Sequence, residues 1–533
     1  MAVNTQGKKF LLAIDHGTSG LKTALVSTSG EVAGFEFEAT PVEFLPGGGA
    51  EQNPERWWQA LLRTSKKLVT SGVVAVPDIV GVCVSSTFST TVAVDENGNH
   101  LMNALTWMDS RGAPYVKALV GGFPSLRGYG LAKAMRWITK TGGGPALSGK
   151  DDLAHALLVK HDFPRVYEKT HVFLPSKDYL NARLTGNIAA SYDSIHLFWV
   201  TDIRDTANIR YDADLVAATG IDRAKLPPLR ASTDRLATLK AEVADEIGLA
   251  RDTPVMMGSP DHQCACIGSG ALGDFEGHLY IGTSSWIECL VPFKRTDLLH
   301  SIASFPSSIA DRYQCVNEQD LAGGCLSFLS ASLLSQDKRL DAAGSPSERY
   351  ALLDSIAGGV EAGSAKVIFT PWLNGERTPV DDTSLRGGIH NISMTTNIDH
   401  IVRAVMEGVA FNTRWSLGYV ERFLRRRLDS LRVVGGGARS ALWCQIFADV
   451  LDREIQVVRD PLQTNARGAA LIGAVGLGHA SFDKIPLSLP VEQSHRPDPA
   501  NRATYDQLYS AFLAIHRSNR SIYRRLNPSG LAR

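Results

Sequence analysis

The chain has no excess of charge, no cysteine pair and no apolar run long enough to cross a bilayer. Its 533 residues carry 55 Lys and Arg against 55 Asp and Glu, a balance that argues against a polyanion-binding surface and so against nucleic acid or an acidic membrane as partner. Seven cysteines, an odd number without a C-x-x-C pair, read as free thiols in a reducing compartment. Cys264 and Cys266 have no His or Cys partners at zinc spacing and read as core residues. Residues 1–9 are polar and the apolar run after them stops at Asp15, so no signal peptide or membrane span is expected and a cytoplasmic location is. At this length two or more domains are expected, each able to bury its own core.

What is present is a short phrase that occurs twice. Ile14-Asp15-His16-Gly17-Thr18-Ser19-Gly20-Leu21-Lys22 and Tyr280-Ile281-Gly282-Thr283-Ser284-Ser285-Trp286 each join two apolar, strand-like flanks through a Gly-Thr-Ser turn. Each reads as a β-hairpin. Gly17, Gly20 and Gly282 are expected to give the turns backbone conformations closed to other residues and a close approach to a ligand. N–H groups and small hydroxyls gathered in a turn make an anion site, and two such turns across one cleft would hold a polyphosphate from both sides. An acid precedes the turn only in the first copy.

Strand-like runs at 79–84, 91–94 and 172–174 alternate with helical ones such as the amphipathic stretch 54–70, which indicates an α/β class. The glycine-rich stretch 121–149 reads as a mobile lid or insertion, or equally as a plain surface loop. A domain junction is expected near 253–258, where an apolar strand leads to Pro260-Asp261-His262 and then a run of small residues that reads as a helix. A carboxylate at that helix start is either a structural N-cap or a catalytic group oriented between two halves. Further on, Val433-Val434-Gly435-Gly436-Gly437-Ala438-Arg439-Ser440 reads as strand, glycine turn and helix, without the G-x-G-x-x-G spacing of a dinucleotide fold. The region from about 499 reads as a charged surface helix.

In their order these pieces resemble the FGGY carbohydrate kinases of the actin/hexokinase/Hsp70-like ATPase superfamily over nearly the whole chain, with the xylulose kinases the nearest likeness. The resemblance rests on Asp15 to Gly20, Glu51-Gln52-Asn53-Pro54-Glu55-Arg56-Trp57-Trp58, Trp107-Met108-Asp109-Ser110-Arg111, Leu174-Pro175-Ser176-Lys177-Asp178-Tyr179-Leu180, Asn374-Gly375-Glu376-Arg377-Thr378-Pro379, Arg403 to Gly408 and the glycine turn at 435–440. It implies two ribonuclease H-like α/β domains flanking a deep catalytic cleft, at 1–257 and 258–490, with a helical extension at 491–533. It further implies ATP and Mg²⁺ as cofactors and a small ketose, D-xylulose first, or a polyol as substrate; a homodimer is compatible with it.

By the same resemblance Asp261 is the catalytic base and Asp15 places Mg²⁺. Gly17, Thr18, Ser19, Gly282, Thr283 and Ser284 face the phosphates, while Gly323, Ser327, Gly436, Gly437 and Ala438 line the adenosine pocket. Phe88, Ser89, Trp107, Asp109, Arg111 and His262 fall on the sugar side with Asp261, and a structural salt bridge is an equal reading of Asp109 and Arg111. Three departures stand out. The family's Met-His pair is replaced by Phe88-Ser89, the Lys-x-x-Trp element is displaced to Lys133–Trp137 with His155 in its expected place, and Asn391 stands where glycine is usual. The first two weaken the choice of sugar. An actin-like or Hsp70-like ATPase would share the hairpins but needs no Asp261 in a sugar pocket, and a sugar-sensing pseudokinase is disfavoured by the presence of both Asp15 and Asp261. An oxidoreductase is disfavoured by the missing ribose-binding acid.

Overall fold

The computed structural model describes residues 5–341 and 345–527. Residues 1–4, the head of the polar N-terminal stretch, and 528–533, the end of the C-terminal extension, lie outside the described residues. Two large sheets organise the chain, and they repeat one another. In the first, Phe10–Gly17 pairs antiparallel with Gly20–Ser27, which pairs antiparallel with Val32–Ala39. On its other side Phe10–Gly17 runs parallel to Ile79–Ser86, and that strand parallel to Pro254–Pro260. In the second, Gly277–Ile281 pairs antiparallel with Ser285–Val291, which pairs antiparallel with Tyr313–Val316. On its other side it runs parallel to Ser430–Val434, and that strand parallel to Glu454–Val458. The same five-strand plan thus occurs twice, as the ribonuclease H-like expectation requires. The central strands read as unbroken apolar runs because helices cover the sheets.

Local signals set the helices. Pro54–Thr70 starts at Asn53, whose side chain accepts from the Glu55 N–H, with Pro54 in the first turn where its missing donor costs nothing. Its Trp57, Ala60, Leu61 and Leu68 are buried against the first sheet. The 27-residue helix Ile398–Leu424 carries the core of the second half, with Val402, Val409, Phe411 and Val420 buried.

The run of small residues after Asp261 is the helix Asp261–Ser269, and its composition has a packing reason. It crosses the helix Thr464–Gly476, where a Cβ on Gly268 would overlap the Thr464 carbonyl and one on Gly468 the Cys264 carbonyl. The helices therefore touch backbone to backbone. Thr464–Gly476 packs in turn on the first sheet, so this pair joins the two halves. The preceding strand, Pro254–Pro260, is an integral member of the first sheet. All seven cysteines are free and buried, Cys264 and Cys266 among them.

Several sequence expectations are corrected. The stretch 121–149 holds the strands Ser125–Leu126 and Tyr129–Gly130 and the helix Leu131–Thr141. It is tied to the second half by Lys294 Nζ donating to the Ile138 carbonyl (2.8 Å) and Thr296 Oγ1 to the Gly142 carbonyl (2.6 Å). The C-terminal extension begins with a strand, Val491–His495, that pairs with Glu454–Val458. Its helix, Arg502–Leu526, packs back on the body and sends Tyr505, Leu508 and Phe512 into the second core, each worth about 1.5–3 kcal/mol of burial. Asn391 adopts a φ of 61°, a left-handed conformation that Asn tolerates better than other side chains, so it replaces glycine there at small cost.

Candidate active site

The hairpin turns are built otherwise than expected. None of Gly17, Gly20 and Gly282 has a left-handed φ. Gly20 is required by crowding, since a Cβ would come within 2.5 Å of the Glu38 carbonyl and the Phe37 ring, and at Gly282 one would strike the Tyr280 ring. Thr18 is half-buried; Ser19 and Thr283 are exposed at the tips. Trp107 Nε1 donates to Thr18 Oγ1 (2.9 Å), and the Arg377 guanidinium lies 5.7 Å from the Trp107 ring, bringing a residue of the second half over the first hairpin.

Asp15 is buried beside the first turn. Its Oδ2 is 3.6 Å from Lys22 Nζ, which itself donates to the Leu462 carbonyl (2.7 Å), and its buried Oδ1 has no hydrogen-bond partner. Burial raises its pKa, with Lys22 and Asn465 opposing. Asp261 opens its helix; Oδ1 accepts from the His262 N–H (2.9 Å) and the other oxygen has no hydrogen bond to the protein. Burial pushes the Asp261 carboxyl up to about 6, the His262 charge opposing and Asp15 and Glu318 adding to it. Tyr280 of the second hairpin feels both carboxylates, which raise its pKa beyond the effect of burial. The acids of the two halves therefore share one electrostatic environment.

His262 lines a cavity with Phe88, Asp193, Gln263 and Phe305. Its ring stacks on Trp286 (4.2 Å between centroids), Trp286 stacks on Tyr280 (3.9 Å), and Phe88 closes the other side at 5.9 Å. Nδ1 lies 2.7 Å from Glu288 Oε1, while Gln314 Nε2 donates to Glu288 Oε2 (2.6 Å). Burial lowers the His262 pKa, but the Glu288 carboxylate outweighs it and pushes the imidazole up to about 9.

The segments expected to line an adenosine pocket meet at the second hairpin. The Gly323 N–H donates to the Gly282 carbonyl (2.8 Å) and the Ala322 N–H to the Thr283 carbonyl (2.7 Å). Gly435 holds a φ of 88° with its Cα against the Ile281 backbone, Gly436 is open to solvent, and Ala438 is buried. Only glycine allows that turn at 435. Ser327 is exposed and its Oγ lies 2.8 Å from Tyr350 Oη.

On the sugar side one of two equal readings is favoured for Asp109 and Arg111, and the expectation for Ser89 changes. Asp109 is fully buried, its oxygens taken by the Ala50 N–H and by Arg111, which also pairs with Glu51 (2.6 Å). That pair is a structural salt bridge. Ser89 is buried at a φ of 62° and donates to the Lys150 carbonyl (2.9 Å), so it is Phe88 that reaches the cavity. Sequence reasoning also passed over Glu288 and Gln314, although a lone acid inside the buried strand Ser285–Val291 is itself a signal, since a buried charge needs a partner.

Two sheets of one plan, each presenting a hairpin to a cleft that holds a carboxylate from either side, define a two-lobed phosphotransferase. Residues 10–268 match the N-terminal domain model of the FGGY family of carbohydrate kinases, and residues 279–477 match its C-terminal domain model. A Bacillus subtilis xylulose kinase is 30% identical over 473 residues, covering 88% of this chain and 89% of that one. A Staphylococcus epidermidis xylulose kinase is 27% identical over 526 residues, 97% and 98% of the two chains. Among solved structures, a ligand-bound xylulose kinase from Lactobacillus acidophilus superimposes with a TM-score of 0.84 at 21% identity over 97% of this chain and 100% of that one. A Plasmodium falciparum glycerol kinase with ADP does so at 0.78 and 19% over 96% and 98%. The chain belongs to the FGGY family of carbohydrate kinases. It is a sugar phosphotransferase that uses ATP. Among the described residues no helix is long and apolar enough to cross a membrane.

Proposed function

We propose that the chain transfers the γ-phosphoryl group of ATP to the terminal hydroxyl of a small ketose, D-xylulose giving D-xylulose 5-phosphate. Asp261 carries the proposal: a carboxylate at a helix start in the cleft, with an oxygen free of protein partners and a pKa pushed up to about 6. It accepts a hydrogen bond from the sugar hydroxyl and takes its proton as the new O–P bond forms and the bond to the β-phosphate oxygen breaks, releasing ADP. The Gly17–Ser19 and Gly282–Ser284 turns hold the phosphates; Gly323, Gly436, Gly437, Ala438 and Ser327 surround the adenosine. Asp15 suits Mg²⁺, because its buried Oδ1 has no protein partner. Among the described residues no group of three His, Cys, Asp or Glu could hold a metal, which fits an ion that takes one carboxylate and fills its shell with phosphate oxygens and water. When bound it neutralises charge on the transferred group.

The sugar choice rests on the relatives named xylulose kinase. A Bacillus subtilis gluconokinase, 24% identical over 511 residues, and the aromatic Phe88 in the cavity favour a second reading, another small sugar or polyol. ADP release across xylulose, ribulose, gluconate, xylitol, ribitol, erythritol and glycerol tests both. Turnover with D-xylulose above the rest supports the first reading; no acceptor in the panel raising ADP release above the sugar-free rate would sink both. Asp261→Asn, which keeps the shape, is expected to lower kcat by roughly 10²-fold or more.

A further inference from the structure

We propose that Glu288 is a positioning residue for the sugar end of the site: it holds His262 as a cation whose Nε2–H donates to a substrate oxygen and whose charge keeps Asp261 ionised. The inference rests on the assignment of Asp261 as base. The geometry decides which nitrogen does what. Nδ1 is taken by Glu288, so only Nε2 is left for a ligand, and it makes no hydrogen bond to the protein although the ring is wedged between Trp286 and Phe88 at the cavity wall. With Glu288 ionised, Nδ1 must carry the proton between them; a ring otherwise neutral would then present Nε2 as an acceptor, and only the doubly protonated ring donates there.

Burial raises the pKa of Glu288, but His262 and Gln314 oppose that rise, and the other groups around the ring favour its cation. Glu288 is fully buried on its strand and receives a hydrogen bond from Gln314, whose amide also donates to the His262 carbonyl (3.1 Å). His278, 3.8 Å from the other Glu288 oxygen, is the competing proton holder, but burial, with the His262 charge adding, drives its pKa to about 3. Asp261 and Glu318, the remaining charges that His262 feels, are both acids and favour its cation. Asp261 feels His262 strongly, alongside Asp15 and Glu318, whereas Glu288 is not among the main influences on it. Discharging the pair therefore removes a nearby positive charge from Asp261 and only a remote negative one.

The test uses the whole protein. Labelled-histidine NMR of the sugar-free chain, with the His262 signal assigned by its loss in His262→Gln, is expected to show an imidazolium at pH 7.5 that titrates near 9. A neutral ring at pH 7.5 overturns the proposal, and this measurement does not depend on which sugar is phosphorylated. Glu288→Gln keeps the shape but lets the ring go neutral. For the best acceptor of the panel it is expected to raise the sugar KM about tenfold with the ATP KM within about twofold, and to move the acid limb of kcat/KM to higher pH by about one unit. An unchanged sugar KM and acid limb in a folded Glu288→Gln protein reduce the pair to a structural role and refute the proposal. If that variant does not fold, the NMR titration of the unmodified chain decides alone.

Discussion

The two hairpins share a Gly-Thr-Ser phrase and differ in what stands two residues ahead of it. In the first, Asp15 faces Lys22 across the ladder; in the second, at the same place, Tyr280 faces Trp286. One cross-strand pair is an ion pair and the other an aromatic stack. The duplicated fold thus supplies two Gly-Thr-Ser turns of different length, Thr18-Ser19 between Gly17 and Gly20 and Gly282 to Ser284 between Ile281 and Ser285, each backed by its own pair of side chains. The charged pair leaves a buried carboxylate oxygen without a partner among the described residues, as the proposed cation role requires, while the stacked pair extends to the His262 ring.

The largest way to break this comparison is to remove the charge from the first hairpin. Asp15→Ala is expected to cut kcat by roughly 10²-fold or more and to shift the Mg²⁺ activation curve to higher concentration, read by coupled ADP release; an unchanged curve would make Asp15 structural. Next comes pH. The base must be ionised, and Asp261 is pushed up to about 6, so kcat/KM should fall tenfold per pH unit below about 6 and level off above it. A flat profile from pH 5 to 8 would remove Asp261 from that role.

A smaller effect is expected at the second tip. Thr283→Val should raise the ATP KM several-fold while the sugar KM stays within about twofold, because the hydroxyl lies exposed at the phosphate end; the opposite pattern would exchange the two hairpins' assignments. The smallest change sharpens the comparison. Trp286→Phe keeps an aromatic ring in the stack and removes an indole N–H that is buried without a partner. The two effects offset, so stability should move by no more than about 1 kcal/mol in a denaturant titration; a loss of several would show that the indole itself is needed.

The hairpins and Asp261 were legible in the sequence because their signals are local: a turn between apolar flanks, and an acid at a helix start. What escaped depends on atoms brought together across the fold. The motif leaves a sugar contact and a salt bridge as equal readings of Asp109 and Arg111, and only the fold brings Ala50 and Glu51 to them from a strand some sixty residues away along the chain. The Phe88-Ser89 pair was marked correctly as a departure, but the left-handed backbone at 89 turns the hydroxyl to Lys150. Glu288 meets His262 only because strand and helix pack, which no spacing rule encodes. Two of the turn glycines have a cause the sequence does not show: Gly20 answers crowding by Glu38 and Phe37, and Gly282 by Tyr280, whereas Gly17 is not crowded.

The helix pair Asp261–Ser269 and Thr464–Gly476 has a consequence for the site. Asp261 opens one helix, and Asn465, which bears on Asp15, stands at the head of the other. Their crossing is fixed by bare backbone at Gly268 and Gly468, so the pair acts as a gauge block between the carboxylates proposed to hold the metal and to act as base. A methyl group added at either glycine would thicken the block and widen the span across which the phosphoryl group has to travel.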